Sequence, residues 1–180
     1  MQLRDATAML SAADLDRDRP SVWADLGCGT GTFTVALASL LAPESTIHAI
    51  DRDAAALRQV PRAYQGVTII TGVADITGER TGLHGLDGVL MANSLHYVRE
   101  QARVVQRWSE RLAARGRFLI VEYDTDTANR WVPFPISRSR LSTVFERVGP
   151  VSIQDLGRRP SNYQRAQLYA VSIRPGTAND

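Results

Sequence analysis

The sequence predicts a single α/β domain built on a mainly parallel sheet, and three observations predict it. Short apolar runs alternate with helix-period segments along the whole chain, the order that βαβ units require. The first apolar run breaks into glycines at alternate positions, Gly27, Gly29 and Gly31, and a helical pattern from Phe33 to Leu41 begins at once. The length, 180 residues, suits one domain, and no linker composition divides it.

The elements follow in order. Leu3 to Leu15 reads as a short amphipathic helix, closed by Asp16 to Pro20. Val22 to Leu26 is the first strand, and Gly31 to Leu41 the helix after it, stopped by Pro43. Ile47 to Ile50 forms the second strand, and Ala54 to Val60 a helix halted by Pro61. Val67 to Thr71 is the third strand; Thr77 to Gly85 holds too many turn formers for a helix. Gly88 to Ala92 is the fourth strand, before a long helix from about Arg99 to Ala114 that Gly116 ends. Phe118 to Tyr123 is the fifth strand. Asp124 to Pro135, polar, aromatic and with two prolines, reads as a loop over the C-terminal edge of the sheet. Ser137 to Val148 is the last helix, with Leu141, Val144, Phe145 and Val148 on one face. Val151 to Leu156 and Gln167 to Ile173 look like two antiparallel strands joined through Gly157 to Arg165.

Composition sets limits. The hydrophobic fraction, 44%, is ordinary for a globular protein, and no run of about 18 apolar residues predicts a membrane span. The N-terminus lacks the basic-then-apolar order of a signal peptide. Cys28 is the only cysteine, so no internal disulfide forms and a reducing cytoplasm is the expected compartment. His48, His84 and His96 are dispersed, which gives no zinc spacing. A net charge of +2 is too small to argue by itself for nucleic acid, which is not the expected partner. Arg99, Arg103, Arg107, Arg111 and Arg115 recur at every fourth position and, with Glu100 and Glu110 nearby, read as a solvated helix face.

The glycine turn carries the chemistry. Without Cβ atoms it bends sharply and lets a ligand approach the main chain, and free N–H groups at the helix start favour a polar or anionic ligand group. Asp51 stands about 20 positions further on, at the end of the second strand, where a carboxylate accepts from ribose hydroxyls. A dinucleotide fingerprint needs glycine at position 32, and this chain has Thr32.

Asp-Leu-Gly-Cys-Gly-Thr-Gly, residues 25 to 31, resembles instead the first motif of the class I, Rossmann-like S-adenosylmethionine-dependent methyltransferases, of small-molecule type. The resemblance continues in order through Asp51, Ala74-Asp75-Ile76, Leu86 to Tyr97 and Arg117 to Glu122, and so covers residues 21 to 124. It implies a Rossmann-like three-layer sandwich with a seven-stranded, mainly parallel sheet and one antiparallel strand near the C-terminal edge. It also implies one domain over residues 1–180: a short N-terminal helix in 1–20, a cofactor core in 21–124, a substrate-side loop in 125–136, and a last helix and strand pair in 137–180. The cofactor would be S-adenosylmethionine, with S-adenosylhomocysteine as product. The reaction would be in-line displacement of the methyl group by a small-molecule acceptor, without a metal. Alternatives are an RNA or protein methyltransferase, and a non-catalytic cofactor-binding accessory subunit.

On the resemblance, Asp25 and the Gly27 to Gly31 turn meet the methionine part and ribose, and Asp51 holds the ribose hydroxyls. Asp75 accepts from the adenine amino group beside Ile76, Arg52 lies along the ring, and Asn93 and Ser94 face the methionine end. Asp51 also suits a helix cap and Asp75 an ordinary turn. His96 is the first candidate for a general base, with Tyr97, Glu122 and Tyr123 near the same edge; a packed, hydrogen-bonded histidine is its rival. The Asn-x-Leu-His stretch departs from the Asn-Pro-Pro-Tyr type, which argues against amino groups of bases or glutamine as acceptors. The loop from Asn129 to Pro135 is the expected substrate wall: Arg130 would hold an acidic substrate, and Trp131 and Phe134 either line the pocket or pin the loop. About 20 residues precede the first strand, fewer than the cap of many relatives, so the pocket is expected to be open or completed by a second subunit.

Overall fold

The strands run β1 (Val22–Leu26), β2 (Thr46–Asp51), β3 (Ala63–Tyr64), β4 (Val67–Val73), β5 (Leu86–Ala92), β6 (Leu112–Tyr123), β7 (Val151–Pro160) and β8 (Gln167–Pro175). The structure is a computed structural model that describes residues 1–78, 82–161 and 166–176. Among these residues the strands form one sheet in the order β3-β4-β2-β1-β5-β6-β8-β7. β1, β2, β4, β5 and β6 are parallel, β8 runs antiparallel to β6, and β7 returns to the main direction. The seven expected strands, with one reversed near the C-terminal edge, are all present. The eighth, β3, is a two-residue antiparallel addition beside β4, too short to show a period in sequence.

Helices α1 (Leu3–Leu10), α2 (Thr32–Ala38) and α3 (Ala54–Leu57) pack on one face, and α4 (Gln101–Ser109) and α5 (Leu141–Phe145) on the other. β1 supplies both cores because its side chains alternate: Trp23 enters the first, Ala24 and Leu26 the second. Gly88 faces Trp23 across the β1–β5 ladder, and a Cβ there would lie 2.1 Å from the indole ring. Among the described residues no helix is long and apolar enough to cross a membrane.

Several boundaries differ from expectation. The long helix from about Arg99 to Ala114 stops at Ser109, and Leu112 already pairs with Leu86 before a bulge resets the register at Gly88 and Arg117. Ladder bonds to β5 outweigh the helical preference of Leu112-Ala113-Ala114. Gly116 belongs to that bulge, where a Cβ would come within 2.8 Å of the Leu86 carbonyl oxygen. α1 ends five residues before Leu15, and the last helix is one turn, α5, continued by a 3₁₀ turn over Glu146–Val148. Its expected first turn is drawn away: Arg138 N–H donates to Asp124 Oδ1, 2.9 Å, in the preceding loop. β7 runs through Gly157, a bulge at φ +143°, as far as Pro160. Residues 79–81, in the irregular Thr77 to Gly85 piece, and 162–165, in the expected hairpin connection, lie outside the described residues.

Candidate active site

The C-terminal ends of β1, β2, β4 and β5 converge on a cleft of about 440 Å³. Its floor is the turn after β1, where Gly27, Gly29 and Gly31 hold φ of +74°, +54° and +86°. These are left-handed conformations that a side chain strains. Gly27 is doubly required: a Cβ there would sit 2.5 Å from the Ser94 Cβ. Gly31 is the N-cap of α2, against Val60, and does not line the cleft.

The turn's amides are not bare, contrary to the expectation from its glycines. Gly27 and Cys28 N–H donate to the Ile50 carbonyl at 2.8 and 3.1 Å, Gly31 N–H to Cys28 at 2.9 Å, and Gly29 N–H to Asp51 Oδ2 at 2.8 Å. What faces the cleft is acidic: Asp51, Asp53 and Asp75, with Arg52 the one basic lining residue among those described. That balance suits a ligand rich in hydroxyl and amino donors and carrying positive charge. A pyrophosphate would need the amides the turn has already used.

Asp51 is a hub, not a helix cap. Its Oδ1 accepts from Asp53 N–H at 2.8 Å, while Asp53 caps α3 through Ala55 and Ala56 N–H. Each Asp51 oxygen keeps a second acceptor site toward the cleft. Asp75 Oδ1 closes a turn with Thr77 N–H (2.8 Å) and Oγ1 (2.6 Å), which holds its carboxyl below the usual range. Its Oδ2 has no protein partner among the described residues and belongs to the cleft lining with Ile76. At the exit of β5, Asn93 takes φ +54°, and Asn93 Oδ1 and Ser94 Oγ are buried without a hydrogen-bond partner. Two orphaned polar atoms on one cleft wall call for ligand donors.

Asp25 stands behind the turn, outside the cleft. It is buried and accepts from Thr34 Oγ1 at 2.6 Å; burial pushes its carboxyl up to about 7, against the pull of that hydrogen bond. Burial and the neighbouring Asp25 and Asp51 charges drive the Cys28 thiol well above its usual range, so Cys28 fills the turn as an unreactive thiol.

His96 and Glu122 are a closed pair. Glu122 Oε2 meets His96 Nδ1 at 2.6 Å, and Oε1 accepts Leu95 and His96 N–H at 2.9 and 3.2 Å. Both are buried, 2% and 1% exposed, and neither lines a cavity. This is the packed histidine of the sequence alternatives; the pair ties the exit of β5 to the end of β6. The His96 ring lies between Tyr97 and Tyr123, 4.3 and 5.8 Å away, and these two tyrosines border the cavities.

A second cavity, about 140 Å³, shares Asn93 with the cleft and is walled by Tyr123, Leu168, Arg159 and Pro160, with Met1 and Asp5 from the α1 end. Arg159 pairs with Asp5 at 2.9 Å. Of these, sequence reasoning had Asn93 and Tyr123 and missed Met1, Asp5, Arg159, Pro160 and Leu168. The loop it favoured lines neither cavity: Phe134 N–H donates to the His96 carbonyl at 3.0 Å, under Arg99. Arg130 lies over the Trp131 ring, which is 63% exposed. The loop is pinned, with its aromatic tip outside.

A family model described as a methyltransferase domain matches residues 24–118, more than half of the chain. The chain belongs to this methyltransferase family. Solved structures agree in fold. The YcgJ protein of Bacillus subtilis superposes with a TM-score of 0.71 at 11% identity, over 97% of this chain and 100% of that one. A Leishmania major S-adenosylmethionine-dependent methyltransferase gives 0.72 at 16%, over 94% and 71%. The 1,6-didemethyltoxoflavin-N1-methyltransferase of Burkholderia thailandensis, solved with its substrate and S-adenosylhomocysteine, gives 0.71 at 22%, over 97% and 78%. No curated protein sequence matches the chain. The cofactor of this methyltransferase is S-adenosylmethionine, and the acidic cleft with its two orphaned acceptors fits that cation.

Proposed function

We propose that this methyltransferase acts on a small molecule carrying an anionic group, bound in the cavity beside Asn93. The observation that carries the reading is the sharing of Asn93 by the two cavities, one acidic and one bearing Arg159. When bound, S-adenosylmethionine supplies an electrophilic methyl group on a positively charged sulfur. Asp51 accepts the ribose hydroxyls on its free acceptor sites, and Asp75 Oδ2 takes the adenine amino group between Ile76 and Arg52. Asn93 Oδ1 and Ser94 Oγ accept from the amino-acid end. Gly27 and Gly29 leave the space these contacts need.

On the acceptor side, Arg159 exchanges Asp5 for the anionic group of the substrate, while Tyr123 and Leu168 exclude water. Alignment of nucleophile and methyl group contributes on the order of 7–11 kcal/mol at best. Tyr97 and Tyr123, which border the cavities, are the groups placed to handle a proton, and His96 with Glu122 positions them from behind. One cysteine and the absence of any membrane-crossing helix among the described residues fit a cytoplasmic enzyme.

The test is methyl transfer from labelled S-adenosylmethionine into fractionated metabolites by the purified protein alone. Label should enter an anionic fraction. Tight S-adenosylhomocysteine binding with no transfer to any fraction would identify an accessory subunit. Label in RNA or protein instead would refute the small-molecule assignment.

A further inference from the structure

A cavity of about 750 Å³, larger than the cleft, opens at the other end of the sheet, where β1, β5 and β6 begin and β8 ends. The five residues of β1 alone separate it from the glycine turn by roughly 17 Å. Nothing in the methyl-transfer chemistry uses it. Arg115, Arg117 and Arg174 line it, and so does Arg19, which is already paired with Asp16 and Asp87.

The three arginines are not balanced by carboxylates in the same way. Arg117 is half-buried and donates to the carbonyls of Ala13 and Asp14 at 2.6 and 3.3 Å. Arg115 and Arg174 have neither a hydrogen bond nor an ion pair among the described residues. Burial and the charge of Arg174 both act against the Arg117 cation, with Asp14 opposing. Guanidinium does not give up its proton, so an anion bound beside Arg117 and Arg174 would offset their repulsion. Planar N–H forks on guanidiniums match phosphoryl oxygens two at a time. The volume lies within the range of small-ligand sites.

We propose that this cavity is a second ligand site, for a small phosphoanion held by Arg115, Arg117 and Arg174. All three line it, Arg174 is near enough to Arg117 for the two charges to act on each other, and Asp16 and Asp87 belong to the same lining. A nucleic-acid backbone would need a basic track extending beyond the cavity, and the chain carries a net charge of only +2.

Calorimetric titration of the full chain with inorganic pyrophosphate, ATP and a single-stranded RNA oligomer tests this, with S-adenosylhomocysteine titrated in parallel to report the fold. Pyrophosphate should bind one-to-one, and Arg174→Glu and Arg115→Gln should each weaken it by on the order of tenfold or more. Arg62→Glu, which makes the same charge change as Arg174→Glu on an exposed residue elsewhere, should leave it unchanged. Cofactor-product affinity should stay constant in all three variants. ATP binding tighter than pyrophosphate would identify a nucleotide as the source of the phosphate; equal binding would point to the phosphate itself. The proposal is overturned by no heat at about 1 mM pyrophosphate. Equal weakening by Arg62→Glu and Arg174→Glu, or RNA outbinding both small probes, would overturn it too.

Discussion

Replacing Asp25 by Asn isolates the cost of keeping a carboxylate under the glycine turn. Asp25 is wholly buried, and its carboxyl rises from an ordinary 3.8 to about 7. An interval of about three, at 1.36 kcal/mol each, is about 4 kcal/mol. Because the folded value is the higher one, this group's stabilisation is complete below about pH 4. It is lost as pH rises to about 7, at about 1.4 kcal/mol per pH unit, because the folded chain holds a proton the unfolded chain has released. The Asn variant does not titrate. Its advantage over the parent should therefore grow by about 4 kcal/mol between pH 4 and 7, then stay level. At pH 8 the variant should be the more stable by about 1–3 kcal/mol, once an amide N–H without a partner is set against the relieved charge. Urea unfolding of both proteins across pH 4 to 8.5 measures this difference directly. A difference curve flat across that range would refute the buried-charge reasoning, whatever its height.

Asp51→Ala should weaken S-adenosylhomocysteine binding by about 1.5–3 kcal/mol in calorimetry, through loss of a charged acceptor and of the bond that fixes Gly29. Gly27→Ala should lose most cofactor-product affinity and about 1–3 kcal/mol of stability, since its Cβ collides with Ser94 at a left-handed φ. Glu122→Gln should cost about 1.5–3 kcal/mol in denaturant unfolding while leaving that affinity nearly intact, because the pair touches neither cavity. In the folded protein, Cys28 should react with iodoacetamide far more slowly than a free thiol at pH 8, and unfolding should restore the ordinary rate.

The cleft at the strand ends was legible because its signals are local. Gly27, Asp51, Asp75, Asn93 and Ser94 each sit at a strand end that the apolar pattern marks, and strand ends in a parallel sheet converge. The direction of the loop amides was not legible. Gly29 donating to Asp51 depends on two strands lying side by side, which no window of residues records. Most of the smaller cavity was missed for the same reason: Asp5, Arg159 and Leu168 come from opposite ends of the chain. Leu112 to Ala114 read as helix because their preference is helical, and the ladder with Leu86 overrode it. His96 attracted a catalytic reading through its type and position; only Glu122, 26 residues later, shows that the ring is held as part of the frame.

The outermost ribbon of the sheet touches both ends of the molecule. β7 and β8 place Arg159 and Leu168 in the lining of the smaller cavity, and Arg174 in that of the larger one. Among the described residues, only β8 joins that ribbon to the remaining strands, by pairing with β6. On the proposed reading, mutations in the hairpin would redirect which compounds are modified while the cleft at the strand ends stays intact, leaving preference free to drift in descendants of this gene.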